Sequence, residues 1–344
     1  MVVSGSQGWP PPIEDGDFFM IRRREFIAGL GGAAAWPLAA PAQQRVQVVG
    51  FLTLWSPGDT PPRTREFAQG LKEAGFVEGQ NVVFESRFAS GKVDQLPALA
   101  AELVRRRVDA FYVAGPPATI AAKAATATIP IVFGMGEDPV KEGVVASLNR
   151  SDGNLTGFTD FNNQLMAKRF DLLRQAVPNA TVIGFLVNPN NPNADPDAKD
   201  AQAAALARGL TLRVLVAADE GDFAQAFATI SQEGIGALVF GVDPAFWARA
   251  PELVALAARH AVPTLYDRSL FPTAGGLMSY NTLRSERDHL EGLYLGRVLK
   301  GIKPADLPVV QASKFEFVIN LKTAKALGLE VPRGVLAIAD RVIE

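Results

Sequence analysis

Apolar runs of four to eight residues alternate with amphipathic stretches from residue 46 onward, and the alternation occurs twice in the same order. Near-continuous apolar runs predict strands buried on both faces, and the longer stretches of helical period between them predict crossover helices, hence parallel sheets. The first copy opens with a predicted strand over 46–53 and the second with one over 181–187, so that Val49-Gly50-Phe51-Leu52 is echoed by Ile183-Gly184-Phe185-Leu186. A helix predicted over 64–74 stops at Gly75, and its counterpart over 198–208 stops at Gly209, each glycine standing just past the helix end. Short strands over 82–85 and 212–216 come next, followed by helices that open near Asp94 and Asp222 as N-caps.

The third strands match most closely, Val108-Asp109-Ala110-Phe111-Tyr112-Val113-Ala114-Gly115-Pro116 beside Ile235-Gly236-Ala237-Leu238-Val239-Phe240-Gly241-Val242-Asp243-Pro244. Fourth strands then follow at Ile129-Pro130-Ile131-Val132-Phe133 and Val262-Pro263-Thr264-Leu265-Tyr266. Between and after the copies lie three expected crossings. The first is the polar Asn154-Leu155-Thr156-Gly157-Phe158-Thr159-Asp160, read as a hinge before a helix over 163–176. The second is a strand within 275–281, ahead of a helix over 285–300 that ends at Gly301. The third lies near Gln311-Ala312-Ser313, before a strand over 314–320 and a helix over 321–327.

The predicted fold class is α/β, with two similar doubly wound parallel-sheet lobes joined by a multi-strand hinge. One lobe takes residues 43–157 with 282–311, the other 158–281 with 312–344. The alternative, one large doubly wound sheet, fits less well because chains of this length divide into domains.

The N-terminus adds a location. Arg22-Arg23-Arg24-Glu25-Phe26-Ile27, an apolar run from Ala28 to Ala40 and Ala40-Pro41-Ala42 have the basic, apolar and small-x-small parts of an export signal. Paired arginines before Phe26 mark the twin-arginine type. A buried N-terminal helix is the alternative, and Gly29, Gly31, Gly32 and Pro37 oppose it. Residues 1–42 are thus read as an extra N-terminus plus a signal peptide, with the mature chain beginning near Gln43. Translation from Met20 suits this reading, since Glu14, Asp15 and Asp17 put acid where a signal needs basic charge. The expected location is periplasmic.

Without residues 1–42 the chain carries 31 basic and 32 acidic side chains, a balance that points to no nucleic acid or anionic membrane as partner. No apolar run past the signal approaches the roughly 20 residues that span a bilayer, so no membrane insertion of the mature chain is expected. With no cysteine there are no disulfides, thiolate metal sites, thiol nucleophiles or lipid-bearing cysteine.

In open parallel sheets ligands bind beyond the carboxyl ends of the strands. Here those ends carry Thr53-Leu54-Trp55-Ser56, Gly115-Pro116-Pro117-Ala118-Thr119 and Gly134-Met135-Gly136-Glu137-Asp138 in the first copy. The second offers Asn188-Pro189-Asn190-Asn191, Gly241-Val242-Asp243-Pro244-Ala245-Phe246 and Tyr266-Asp267-Arg268. Small, hydroxyl and aromatic residues in such loops suit a small, partly apolar solute with a polar tag. The candidate binding residues are Trp55, Ser56, Pro116, Ala118, Thr119, Asn188, Asp243, Phe246 and Tyr266. Ser56 and the N–H groups around Ala118 and Thr119 are expected to hold a carboxylate, Asp243 an ammonium, and Trp55, Phe246 and Tyr266 to wall an apolar side chain. Duller roles stand beside these: a helix cap for Asp243, a lobe edge for Trp55, the core for Tyr266.

No Walker A loop or Gly-x-Ser-x-Gly elbow is present, and His260 and His289 stand apart on predicted helices. Gly134-Met135-Gly136 lacks the third glycine of a dinucleotide loop, and Asp195, Asp197 and Asp200 lack the glycine and closing glutamate of a calcium loop. Neither a catalytic residue, a metal site nor a cofactor is expected.

Several phrases resemble the ABC-transporter substrate-binding proteins of the type I periplasmic-binding fold, in the group that includes aromatic amino acid binders. They are Gly70-Leu71-Lys72-Glu73-Ala74-Gly75, Ile129-Pro130-Ile131-Val132-Phe133, Asp138-Pro139-Val140, Leu186-Val187-Asn188-Pro189-Asn190, Gly276-Leu277-Met278-Ser279-Tyr280 and Phe317-Val318-Ile319-Asn320-Leu321-Lys322-Thr323-Ala324. The resemblance implies two lobes joined by three crossing strands that close around one solute and present it to permease and ATPase subunits. It attaches ligand contact to Ser56, Thr119, Asn188, Asp243 and Tyr266, and it points to an aromatic or branched amino acid or a related compound. Trp55 departs from the smaller residues common there, which bears on cleft volume. Two alternatives stay open: a ligand-sensing subunit for a receptor kinase, and a hydrolase resting on scattered acidic groups. A transcription regulator of the same lobed fold lacks its helix-turn-helix before Val46.

Overall fold

The computed structural model describes residues 45–57, 64–149 and 153–344, so the expected export signal over residues 1–42 lies outside the described residues. In chain order the strands are β1 (Gln47–Thr53), β2 (Val82–Phe88), β3 (Ala110–Ala114), β4 (Ile131–Met135), β5 (Leu155–Thr159), β6 (Val182–Val187) and β7 (Thr211–Val216). They continue with β8 (Ala237–Phe240), β9 (Thr264–Tyr266), β10 (Met278–Thr282), β11 (Val310–Gln311), β12 (Phe315–Asn320) and β13 (Arg341–Ile343).

These strands form two sheets, ordered β11-β5-β4-β3-β1-β2 and β13-β12-β10-β9-β8-β6-β7. Every pairing in the first sheet is parallel; in the second only β10 and β12 run antiparallel. The order β2-β1-β3-β4-β5 recurs as β7-β6-β8-β9-β10, which is the duplicated plan expected from the apolar runs. In each sheet the winding reverses beside the first strand of its copy, opening a crevice at the carboxyl ends of β1 and β3 and of β6 and β8.

Side-chain alternation loads both faces of each sheet. In β6, Ile183, Phe185 and Val187 enter one core while Leu186 enters another with Leu238 and Phe240. In β3, Phe111 and Val113 enter one core while Ala110, Tyr112 and Ala114 enter the other. Burial on both sides explains why these strands read as unbroken apolar runs. Gly75 and Gly209 sit past their helices at φ 87° and 68°, the left-handed conformation that glycine takes without a Cβ penalty.

Three local expectations change. The segment read as a polar hinge is β5, wholly buried and paired to β4 and β11; Thr156 lies inside because its Oγ1 donates to the Leu307 carbonyl at 3.1 Å. The helix Glu220–Gln232 is capped by Asp219, whose side chain accepts from the Asp222 N–H, while Asp222 accepts from Ala218 N–H at 2.9 Å. Asp94 lies in a short 3-10 turn before the helix Leu96–Arg105, not at its cap.

After β10 the chain returns to the first sheet as the helix Arg284–Leu299, which packs on the helix Arg65–Glu73. The approach needs glycine on both sides. A Cβ at Gly70 would strike the His289 carbonyl, one at Gly292 the Phe67 carbonyl, and one at Gly296 the Ala74 side chain. This close packing fixes which face of the return helix looks toward the strand ends. Among the described residues no helix is long and apolar enough to cross a membrane.

Candidate functional site

A cavity of about 300 Å³ lies at the strand ends, walled by loops of both sheets and by the start of the return helix. Trp55, Ser56 and Pro116 line it from the first sheet, Asn188, Asp243 and Trp247 from the second. Polar and apolar walls are mixed, as in pockets that take small organic solutes.

Asp243 organises the second-sheet wall. One carboxylate oxygen accepts from Asn188 Nδ2 at 3.2 Å and from the Ala245 N–H at 2.8 Å. The other accepts from Asn191 Nδ2 at 2.9 Å. Pro244 stands at the start of the helix Pro244–Ala248, where a missing N–H costs nothing. Burial pushes the Asp243 carboxyl up, and these hydrogen bonds oppose that push. Its acceptor sites are thus spent on protein donors, so it caps a helix and holds two asparagines in place instead of offering a bare carboxylate for an ammonium.

Beside it, Trp247 Nε1 donates to Asp267 Oδ2 at 2.9 Å, and the Arg268 guanidinium lies 3.2 Å from the Trp247 ring centroid. This is close cation–π stacking, and it places a flat cation on the cavity wall. Arg268 is pushed down to about 9, first by burial and then by the like charges of Arg284 and Arg287.

The return helix supplies the largest charged group. Arg284, Arg287, Asp288 and Glu291 all line the cavity, three and four residues apart on one helical face. Arg287 Nη1 donates to Asp160 Oδ2 at 2.6 Å, and its other nitrogens lie 3.5 Å from Asp288 and Glu291. Arg284 Nε pairs with Asp288 Oδ2 at 3.1 Å. The Tyr112 hydroxyl donates to Glu291 Oε2 at 2.6 Å. Glu291 is pushed up by burial although Arg287 pulls the other way. Gly134 makes room for this carboxylate, since a Cβ there would collide with Glu291 Oε1.

A contact joins the two sheets' loops across the cavity: Asn193 Nδ2 donates to Glu137 Oε1 at 2.5 Å. Burial, then the charge of Asp197, pushes Glu137 up to about 8. Asp197 rises to about 7, chiefly through burial, with Arg169 opposing.

Of the residues expected at the site, Trp55, Ser56, Pro116, Asn188 and Asp243 line the cavity. Ala118, Thr119, Phe246 and Tyr266 do not. Ala118 is fully buried in the core under the helix Pro116–Ala125. Thr119 is equally buried, and both its N–H and its hydroxyl donate to the Gly115 carbonyl, at 3.1 and 2.8 Å. Phe246 turns into the second-sheet core against Phe223 and Phe240. Tyr266 stacks on Phe271 at 4.3 Å in the same core, so its duller role holds. Sequence reasoning put Arg268 in a strand-end loop without a role, and it missed Trp247 and the four charges of the return helix. The signal for the last was present: charges at 284, 287, 288 and 291 fill one face of a helix, where a packed helix ordinarily shows an apolar stripe.

Residues 62–343 match the family described as ABC transporter substrate binding protein. The chain belongs to that family. Its sequence is 24% identical over 264 residues to the Tyrosine-binding protein of Clostridioides difficile (strain R20291), covering 77% of this chain and 76% of that protein. A conserved domain protein from Vibrio cholerae is similar in structure with a TM-score of 0.76 and 24% identity, over 87% of this chain and all of that one. The ABC domain in complex with L-Trp from Streptococcus pneumonia gives a TM-score of 0.72 at 24% identity, with the same coverage. At such identity the structural likeness establishes the fold, two α/β lobes of the periplasmic-binding kind. As a substrate-binding protein of an ABC transporter, the chain binds a solute and is not an enzyme, and such proteins work outside the cytoplasm.

Proposed function

We propose that this substrate-binding protein serves an importer and captures an aromatic or branched amino acid, or a closely related compound, between its two sheets. The observation that carries the reading is the cavity of about 300 Å³ between opposed strand ends, with Trp55 and Pro116 as apolar wall and paired arginines and carboxylates at one end. The names of the two relatives, one a tyrosine binder and one holding L-Trp, favour the aromatic choice. In this reading Trp55, Ser56, Pro116 and Asn188 touch the solute, and Asp243 steadies Asn188.

Capture needs no bond chemistry. A solute touching both walls adds contacts that exist only when the sheets' loops approach, so it shifts the equilibrium toward the shut form by its difference in affinity for the two states. In this reading the Glu137–Asn193 bond, which links loops of the two sheets, helps to hold the shut form. Micromolar capture amounts to about 8 kcal/mol, within the reach of a few charge-assisted hydrogen bonds and an apolar wall.

The lobes of this reading are residues 43–157 with 282–311 and residues 158–281 with 312–344. Strands β1–β5 and β11 sharing one sheet, and the remainder the other, favour a division of this kind, with two borders moved: Phe158 and Thr159 complete β5 in the first sheet, and Thr282 ends β10 in the second. Export by the twin-arginine route to the periplasm rests on Arg22-Arg23-Arg24-Glu25-Phe26-Ile27 and the apolar run behind it. Isothermal titration with an amino acid panel tests the solute class: heat from L-tryptophan, L-tyrosine or L-leucine is expected, and silence from every aromatic and branched member would discard it.

A further inference from the structure

A smaller chamber of about 200 Å³ adjoins the cavity and shares Asp267, Arg268, Asn281, Arg284 and Arg287 with it. Its remaining wall includes Ser279. Ser279 and Asn281 stand two apart on β10 and therefore face the same side of the sheet. Buried polar groups almost always find partners, because an unpaired one forfeits its hydration for nothing. Among the residues lining this chamber five do not. Asp267 Oδ1, Ser279 Oγ, Asn281 Oδ1, Arg284 Nη1 and Arg287 Nε are buried and have no hydrogen-bond partner, although Arg287 Nε keeps an ion-pair contact with Glu291 at 3.5 Å. Asp267 and Ser279 are each only 1% exposed.

The unpaired atoms are of both kinds. Asp267 Oδ1 and Asn281 Oδ1 want donors, Arg284 Nη1 wants an acceptor, and a serine hydroxyl serves either way. A lone anion would satisfy Arg284 and be repelled by Asp267; a lone amine would do the reverse. One small group meets both demands, a carboxylate and an ammonium on the same carbon. Arg268, Arg284 and Arg287 crowd their charges together beside the chamber, so an anionic oxygen there relieves repulsion as well as filling a vacant donor.

We propose that this chamber, and not the loops around Ser56 and Thr119, holds the α-amino-carboxylate head of the solute, with Arg284 and Ser279 on its carboxylate and Asp267 and Asn281 on its ammonium. The assignment rests on the reading of the solute as an amino acid and adds where, and by which residues, its head is recognised. The side chain then extends into the larger cavity toward Trp55.

The experiment is isothermal titration of the wild-type chain and three variants, Arg284→Gln, Ser279→Ala and Asp267→Asn, after a screen of the twenty common amino acids chooses the probe. With L-tyrosine as probe, its companions are tyramine, lacking the carboxylate, and 3-(4-hydroxyphenyl)propionate, lacking the ammonium. The wild type is expected to prefer the amino acid over either by about 10- to 100-fold, as hydrogen bonds to charged groups dictate. Arg284→Gln should erase most of the preference over tyramine and keep the preference over the acid. Asp267→Asn should do the opposite, its remaining oxygen still accepting from Trp247. Ser279→Ala, the mildest change, should narrow the preference over tyramine, and it keeps the test alive if Arg284→Gln does not fold. Variants that keep both preferences, or lose affinity for all three probes alike, overturn the assignment and leave the amino acid reading standing. A wild type that binds none of the twenty overturns that reading and the assignment with it. Binding of a non-aromatic amino acid with the same switched preferences upholds the chamber and replaces only the aromatic choice.

Discussion

Asp160 accepts a 2.6 Å hydrogen bond from Arg287 Nη1, from a residue 127 positions away. The same carboxylate takes the Thr282 hydroxyl at 3.0 Å. Asp160 follows β5 of the first sheet and Thr282 ends β10 of the second, so one side chain ties two crossings of the chain to the return helix. Removing one partner of a buried ion pair typically costs about 3–5 kcal/mol, because the other charge is left without compensation. Arg287 keeps Asp288 and Glu291 at 3.5 Å, which puts Asp160→Ala at the low end, about 3 kcal/mol. Urea unfolding at neutral pH checks it, and a midpoint equal to wild type would show that the tie carries no stability.

Gly292 lets the return helix meet the helix Arg65–Glu73 backbone to backbone. A Cβ at Gly292 meets a main-chain carbonyl that cannot rotate away, so Gly292→Ala should cost about 2–3 kcal/mol by overpacking. Gly334, in the helix Arg333–Ala337, has open space where its Cβ would stand, and Gly334→Ala should change stability by no more than about 0.5 kcal/mol. Thermal unfolding of the pair separates a steric cause from helix propensity, which would favour alanine at both sites.

The pH response follows from Glu137. Its folded carboxyl lies at about 8, against 4.5 ordinarily. Between those values the folded chain holds a proton that the unfolded chain has lost, so stability is greatest at the acidic end and declines as pH rises through the window. Asp197, raised to about 7, acts in the same direction. Glu137→Gln keeps an acceptor for Asn193 and should flatten the decline without abolishing it. Urea titrations at about pH 5 and about pH 8 measure the slope; a wild type that gains stability over this range reverses the expected sign.

Asp243 is a positioning residue in this account. Asp243→Asn keeps an oxygen for the Ala245 N–H and should hold L-tryptophan within about 5-fold of wild type, since no charge-assisted bond to the solute is lost. Equilibrium dialysis gives the ratio, and a drop of about 100-fold, the size of a lost charge-assisted bond, would return the ammonium to Asp243.

Much of the fold is legible in the sequence because strands buried on both faces must be apolar throughout, and the winding order repeats. β5 escaped that logic: Thr156 and Thr159 make it look polar, and their burial depends on acceptors at Leu307 and Glu137 that local sequence does not reveal. The site was half legible. Strand ends mark its rim, yet whether an aromatic there points into the cavity or the core depends on neighbours such as Phe271, which claims Tyr266. The charged face of the return helix becomes intelligible only once Asp160 and Tyr112, 127 and 179 residues away, are seen against it.

X-ray diffraction from crystals of the chain grown with the tightest-binding amino acid of the titration panel tests most directly whether the solute sits between the two sheets. Density for one solute between the two sheets, touching Trp55 or Pro116 on one side and the Asn188 wall on the other, is the predicted result. A solute seated on an outer surface, with the cavity filled by the protein's own side chains, would contradict it.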